Sequence, residues 1–293
     1  MGFMKRCLWA LTFLAVVMPT LLEAQLQVDI HLDQHRFLRD ERLPVAVRIT
    51  NRSGRPLKVG HAADWLSFSV ETREGKVISP MRDIEAGGQF QLEPADSVSK
   101  AIDITEGFDL SQPGSYRVSA SAKFSEIDFV GMSVTVPFEI VRGTQLWEEV
   151  CGAPETNGVT RWIRYSLLHA NHTRPLLLYA RIADEEETRP ARVFPLGNSV
   201  SFSTPERIID GTSRLHVLFQ SGPRGFDYAR VTPRGVLEEK RSYELLPSSR
   251  PRLKMNEDGQ VLVVGGLSLV STNATRAAGP LLSTTNVPVR PKP

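Results

Sequence analysis

The sequence predicts an all-β protein in which a sandwich of alternating strands is followed by a region of stacked sheet repeats. Three observations carry this. Apolar residues recur at every second position through most of residues 26–141, the period of a strand with one face buried. Spacings of three and four, which would lay an apolar stripe along a helix, are nearly absent there. From residue 145 onward, short segments recur in the same order at offsets of 49 and 46 residues, the mark of a repeated supersecondary unit.

Residues 1–24 come first as a leader. Lys5 and Arg6 precede an apolar run from Cys7 to Met18, then Pro19, Leu21, Leu22, Glu23 and Ala24, with a polar start at Gln25. A basic start, a short apolar centre and a small residue at the cut describe a secretory signal peptide ending at Ala24. The run is shorter than the about 20 residues of a membrane span, and retention as an N-terminal anchor is the alternative. The expected location is periplasmic or secreted, with no stable transmembrane span in the mature chain.

The strands of residues 25–142 follow. Leu43, Val45, Val47 and Ile49 share one face while Arg48 and Thr50 share the other; Leu66, Phe68 and Val70 alternate with Ser67, Ser69 and Glu71. Val98, Ile102 and Ile104 form a weaker set. Tyr116, Val118, Ala120, Ala122 and Phe124 alternate with Arg117, Ser119, Ser121 and Lys123, and Val134, Val136, Phe138 and Ile140 close the series. With residues 26–32 and a short strand at 76–79 this gives about seven strands. Turn residues separate them: Asn51-Arg52-Ser53-Gly54, Glu74-Gly75 and Pro113-Gly114.

The segment Leu110-Ser111-Gln112-Pro113-Gly114-Ser115-Tyr116-Arg117-Val118 resembles the Leu-x-x-Pro-Gly-x-Tyr-x-Val entry into the penultimate strand of many immunoglobulin-like domains. The resemblance spans residues 25–142 and takes in bacterial sandwich modules, protease-inhibitor-like and adhesin-like ones among them. It implies an immunoglobulin-like β-sandwich in which the Tyr116 hydroxyl ties a corner to upstream backbone. The Cys-Trp-Cys core of antibody domains is absent, and the likeness implies fold more than function.

Residues 145–270 carry the echoes. Tyr179-Ala180-Arg181-Ile182 returns as Tyr228-Ala229-Arg230-Val231, and Pro205-Glu206-Arg207-Ile208-Ile209-Asp210 with Leu215-His216-Val217-Leu218 returns as Pro251-Arg252-Leu253-Lys254-Met255-Asn256 with Val261-Leu262-Val263-Val264. These segments resemble blades of sialidase-like and WD-type β-propellers, whose repeats have this length. The sialidase Ser-x-Asp-x-Gly-x-Thr-Trp box and the Trp-Asp pair are missing, so the resemblance implies blade architecture alone. Fewer than three periods fit into residues 145–270, whereas closed propellers typically have four to eight blades. An incomplete, open stack is therefore expected. Residues 271–293, rich in Ser, Thr and Pro, read as a disordered, weakly basic tail.

Composition excludes several classes. Lys and Arg number 35 against 33 Asp and Glu, a formal net charge of +2, so nothing argues for a nucleic-acid partner. With Cys7 in the leader, Cys151 is alone in the mature chain and forms neither an internal disulfide nor a cysteine zinc site. Sequons at Asn51, Asn171 and Asn273 matter only in a eukaryotic secretory route. His169 with His172 and His31 with His35 have spacings that suit a metal on a helix, but in strands such pairs either face apart or lie far along the chain. His216, inside an apolar strand, reads as a satisfied structural residue. No metal site and no cofactor are expected.

The motif inventory holds no phosphate loop, dinucleotide fingerprint, nucleophile elbow or zinc-protease helix. A sialidase-like reading draws on Arg164, Arg181 and Arg230 for a carboxylate with Tyr243 and Glu244 for chemistry; a protease-inhibitor reading draws on the loops at 52–64 and 80–96. The expectation favoured over both is an exported, non-catalytic protein that binds a protein or glycan. Aromatic residues with arginine are over-represented at interface hot spots, which singles out Trp147, Trp162, Arg164, Arg181, Phe226 and Arg230 as binding candidates.

Overall fold

The computed structural model describes residues 26–62, 64–154, 158–186 and 190–269. The expected leader and tail lie outside them. In chain order the first strands are β1 (Leu26–His31), β2 (Arg36–Leu38), β3 (Pro44–Asn51), β4 (Leu57–Val59), β5 (Leu66–Thr72), β6 (Val77–Ile78), β7 (Phe90–Leu92), β8 (Ser97–Asp103), β9 (Gly114–Phe124), β10 (Phe129–Met132) and β11 (Val136–Val141). There follow β12 (Thr144–Pro154), β13 (Thr160–Ala170), β14 (Leu177–Asp184), β15 (Arg192–Asn198), β16 (Glu206–Ile209), β17 (Leu215–Gln220), β18 (Gly225–Val231), β19 (Leu237–Glu244), β20 (Arg252–Met255), β21 (Val261–Val264) and β22 (Leu267–Leu269).

Two sheets of the N-terminal part close over one apolar interior. One has the order β1-β3-β8, the other β2-β11-β9-β5-β6 with β10 beside β9. The alternation explains the packing: Val45, Val47 and Ile49 of β3 and Tyr116, Val118, Ala120, Ala122 and Phe124 of β9 all point into this core. The Tyr116 hydroxyl donates to the Gln112 carbonyl at 2.7 Å, and its ring stacks on Phe138. Strands β2, β4, β7 and β10 are additional to those read from alternation. Each has three or four residues, too few for a periodicity to show.

The remaining sheets pile up in sequence. Strands β12-β13-β14-β15 form one antiparallel sheet, β16-β17-β18-β19-β22 a second, and β20-β21 a small third. Ile163, Tyr165, Leu167, Leu178, Ala180 and Ile182 of the first meet Leu215, Val217, Phe219, Ala229 and Val231 of the second in a shared core. The far face of the first sheet, with Tyr179 and Val193, packs on Leu38 and Val141 of the N-terminal part. On the far face of the second, Leu218, Phe226, Tyr228 and Tyr243 receive Leu253 and Val263 of the β20-β21 hairpin. Gly265 and Gly266, both at positive φ, turn the chain from β21 back to β22 on the second sheet. The sheets are stacked and no barrel closes, as the count of periods required.

The two echoes differ in geometry. The hairpins β16-β17 and β20-β21 keep one register, Ile208 opposite His216 and Lys254 opposite Leu262, both shifted by 46 residues. Their matched faces look the same way along the stack, Val217 and Val263 each turned to the preceding sheet. The Tyr-Ala-Arg echo is instead face to face: Ala180 and Ala229 share one core while Tyr179 and Tyr228 point in opposite directions.

Candidate functional site

The first strands of the three C-terminal sheets, β12, β16 and β20, are all edge strands, and they border a common groove of about 860 Å³. Glu149 comes from β12, Glu206 and Arg207 from β16, and Arg252 from β20, with Arg250 and Phe202 from the loops that lead in. Phe202 is 80% exposed, so its ring is open to contact at the rim of the groove. Two cation–π pairs flank the groove. The Arg207 guanidinium lies 5.2 Å from the centre of the Trp147 ring, and the Arg250 guanidinium 5.1 Å from that of Phe226. Such stacking fixes the plane of an arginine while leaving its N–H edge available.

The local charges are unequal. Glu206 accepts from Leu253 N at 2.8 Å and from Arg252 Nη1 at 3.2 Å, so its carboxylate is committed to tying β20 to β16. Neither Arg207 nor Arg250 pairs with a carboxylate among the described residues. The groove thus combines an exposed ring with two flat, oriented guanidinium groups, a surface able to stack on a ring and grip an acidic group.

Of the sequence-derived candidates, Trp147 flanks this groove, half-buried. Phe226 is 4% exposed and forms the floor beneath Arg250. Trp162 is 55% exposed on β13, its position alternating with the inward Ile163. Arg164 faces away from the shared core and lies 3.8 Å from Glu148. Arg181 bonds Asp40 across the junction with the N-terminal part at 3.3 Å. Arg230 is held by Glu238 and Glu239, each at 3.1 Å, on the opposite side of the second sheet. The three arginines therefore do not converge. Arg164 and Arg181 lie on one outer face of the paired sheets and Arg230 on the other, with sheets packing about 10 Å apart. Tyr243 is 7% exposed within the core and Glu244 pairs with Arg224 at 3.2 Å. The loops at 52–64 and 80–96 contribute β4 and β7, which pair and bury Leu57, Val59 and Leu92.

Asp210, His216 and Tyr228 form an acid–imidazole–hydroxyl chain. His216 Nε2 lies 3.0 Å from Asp210 Oδ2 and His216 Nδ1 lies 2.8 Å from the Tyr228 hydroxyl. Burial pushes the Asp210 carboxyl up, but bonds from His216, Thr212 and Arg214 outweigh it and hold it well below the usual range. Burial pulls the His216 imidazole down against the raising pull of Asp210, and burial pushes the Tyr228 phenol up to about 12. With His216 only 2% exposed, the chain has no open position for a reacting group and serves as a clamp between β16, β17 and β18. The remaining special residues are equally local. Burial and then the Glu149 charge push the Cys151 thiol up, away from thiolate chemistry. His169 Nε2 sits 3.2 Å from Ser199 Oγ in a buried contact.

Phe202, Arg207, Arg250 and Arg252 were not among the sequence candidates. Arg207 and Arg252 belong to the offset-46 echo but fall at different places within it. Phe202 lies in a loop whose Ser, Thr and Pro residues signal only a turn.

No family model matches the chain, and no curated relative matches it. Among solved structures, the crystal structure of Spo0M, a sporulation control protein from Bacillus subtilis, aligns at 9% identity over 84% of this chain and 91% of that one, with a TM-score of 0.31. A likeness at this level carries neither fold nor role to the present chain. No helix among the described residues is long and apolar enough to cross a membrane.

Proposed function

We propose that this is an exported, non-catalytic binding protein, periplasmic or secreted after loss of residues 1–24, that recognises a protein or glycan bearing acidic groups. On this reading residues 25–142 are an immunoglobulin-like module serving as support, and residues 145–270 are a blade-like repeat unit presenting the recognition surface. The parallel pairing of β2 with β11 and the Tyr116 corner support the immunoglobulin-like assignment. The observation that carries the function is the groove at β12, β16 and β20, where the exposed Phe202 ring meets two guanidinium groups stacked on Trp147 and Phe226. An aromatic platform with fixed arginines suits a sugar ring or side-chain ring carrying a carboxylate.

The test uses the chain from residue 25 to residue 293, purified, against envelope and medium extracts and a panel of acidic and neutral oligosaccharides and peptides. Binding should favour acidic ligands and fall at least tenfold in Phe202→Ser and in Arg207→Ser, with thermal unfolding unchanged for the exposed Phe202. A folded protein that captures nothing, or ligands whose affinity ignores both substitutions, would overturn the reading.

A further inference from the structure

A second cavity, of about 850 Å³, lies where the N-terminal sheets, the β12–β15 sheet and the turn between β18 and β19 meet. The N-terminal part brings Arg82 and Glu106 to one wall; β15 and the turn bring Arg192 and Arg234 to the other. The turn is firmly held. Gly235 N donates to Thr232 O at 2.9 Å and Val236 N to Thr232 Oγ1 at 3.0 Å. Arg161, ion-paired with Asp184 at 3.0 Å, donates to the Pro233 carbonyl at 3.0 Å. Gly235 sits at φ +71, and a Cβ there would meet Arg192 Cβ at 2.7 Å, so glycine alone lets the turn lie on the Arg192 stem. Arg192 and Arg234 are thereby brought close together.

The charges lining the cavity do not balance. Arg42 pairs with Asp103 at 2.8 Å, Arg161 with Asp184, and Asp40 with Arg181. Arg82, Arg192 and Arg234 have no ion pair among the described residues, and only Glu106 stands against them. A cleft with an excess of one sign draws in ions of the other. Backbone donors are scarce here: Val193 is already bridged to Glu41, and Pro190 and Pro233 have no N–H. Recognition therefore falls to side chains, and a guanidinium matches the two oxygens of a carboxylate. Because the three uncommitted arginines come from separate elements, they suit several spaced acceptor groups better than a single one.

We propose that this cavity binds a small polycarboxylate, gripped by Arg192 and Arg234 from one side and by Arg82 from the other. Pro190, Pro233 and Leu237 give its carbon skeleton an apolar seat. Glu106 opposes the most highly charged ligands and sets an upper limit on the negative charge that the cavity accepts. The site is separate from the groove at β12, β16 and β20 and does not depend on the function proposed for it.

The test is isothermal titration of tricarballylate into the chain from residue 25 to residue 293, at neutral pH and low salt. Binding should be saturable, with a single site per chain. Arg82→Gln, Arg192→Gln and Arg234→Gln should each weaken it about tenfold, the loss of a charge-assisted bond. All three arginines are exposed, so thermal unfolding of these variants without ligand should match the parent. Glu106→Gln should tighten binding severalfold, and Phe202→Ser, in the other groove, should leave it unchanged. Acetate at the same carboxylate concentration should not compete, and pyrophosphate should bind more weakly. No saturable binding, an affinity that ignores the three arginine substitutions, competition by acetate, or tighter binding of pyrophosphate would each overturn the proposal.

Discussion

Tyr116, Tyr165, Tyr179 and Tyr228 are buried, packed rings whose hydroxyls each find a partner, as burial of a polar tip requires. Tyr116 donates to Gln112 O, Tyr165 to Ser213 O at 2.7 Å, Tyr179 to Glu41 at 3.0 Å, and Tyr228 meets His216. Asp210 has the most demanding role. Its oxygens accept from Thr212 N and Oγ1, Arg214 N and Nε, and His216. Because its folded pKa is depressed, the stability it confers is complete above the unfolded value near 3.8 and is lost as pH falls through the folded value. Asp210→Asn removes the charge that these donors share and should cost about 3 kcal/mol at neutral pH. The variant should also lose stability less steeply than the parent under acid. Urea unfolding of both proteins from pH 7 to pH 2 checks this, and equal midpoints at pH 7 would contradict it.

At the scale of elements, the C-terminal sheets show how one hairpin design is used twice with different support. The β16-β17 hairpin is sandwiched between two sheets, whereas β20-β21 rests on one and leaves Leu262 and Val264 exposed. A two-stranded ribbon is marginal alone, so β20-β21 depends on Leu253 and Val263 and on the Glu206 clasp. Glu206→Ala should leave the core of the second sheet intact while raising amide exchange of residues 252–264 by at least tenfold. Exchange measured by mass spectrometry on peptides from both regions separates the two; equal protection of the hairpin in variant and parent would deny the clasp its role. Trp147 and Arg207, which flank the groove, sit on the better supported elements, and the mobile side of the groove is expected to be β20.

For the whole molecule, the junction between the N-terminal sheets and the rest is the element of greatest consequence. Leu38 and Val141 pack on Ala170, Tyr179 and Val193, and beside them Glu41, 7% exposed, accepts from Leu38 N, Tyr179 and Gln34. Burial raises its carboxyl pKa against the lowering effect of those bonds. The sign follows from linkage. The folded state holds this proton more tightly than the unfolded chain does, so stability falls as pH rises from about 4.5 through the raised value and is level above it. Glu41→Gln should remove that fall, giving a flatter pH dependence than the parent between pH 4 and pH 7 in chemical unfolding. A variant that keeps the parent slope would show that Glu41 titrates as an ordinary exposed group.

By itself the sequence determined the all-β class and the inward faces of the alternating strands β3, β5, β9 and β11. Period-two burial is a local property, set residue by residue as in β3 and β9. It also determined the Tyr116 corner, whose donor and acceptor lie four residues apart, and the register shared by β16-β17 and β20-β21, fixed by equal turn lengths. What only tertiary structure decided is how the sheets face one another. Tyr179 and Tyr228 look equivalent in the chain but point oppositely, because face-to-face packing is a choice between surfaces that no local pattern records. The same holds for function. Trp147 was legible as an aromatic beside arginine-rich repeats, but Phe202, Arg207 and Arg250 reach one groove from separate elements, and their meeting is a consequence of stacking. Arg181 and Arg230, alike in sequence, are parted by the two sheets between them, with Arg164 on the side of Arg181.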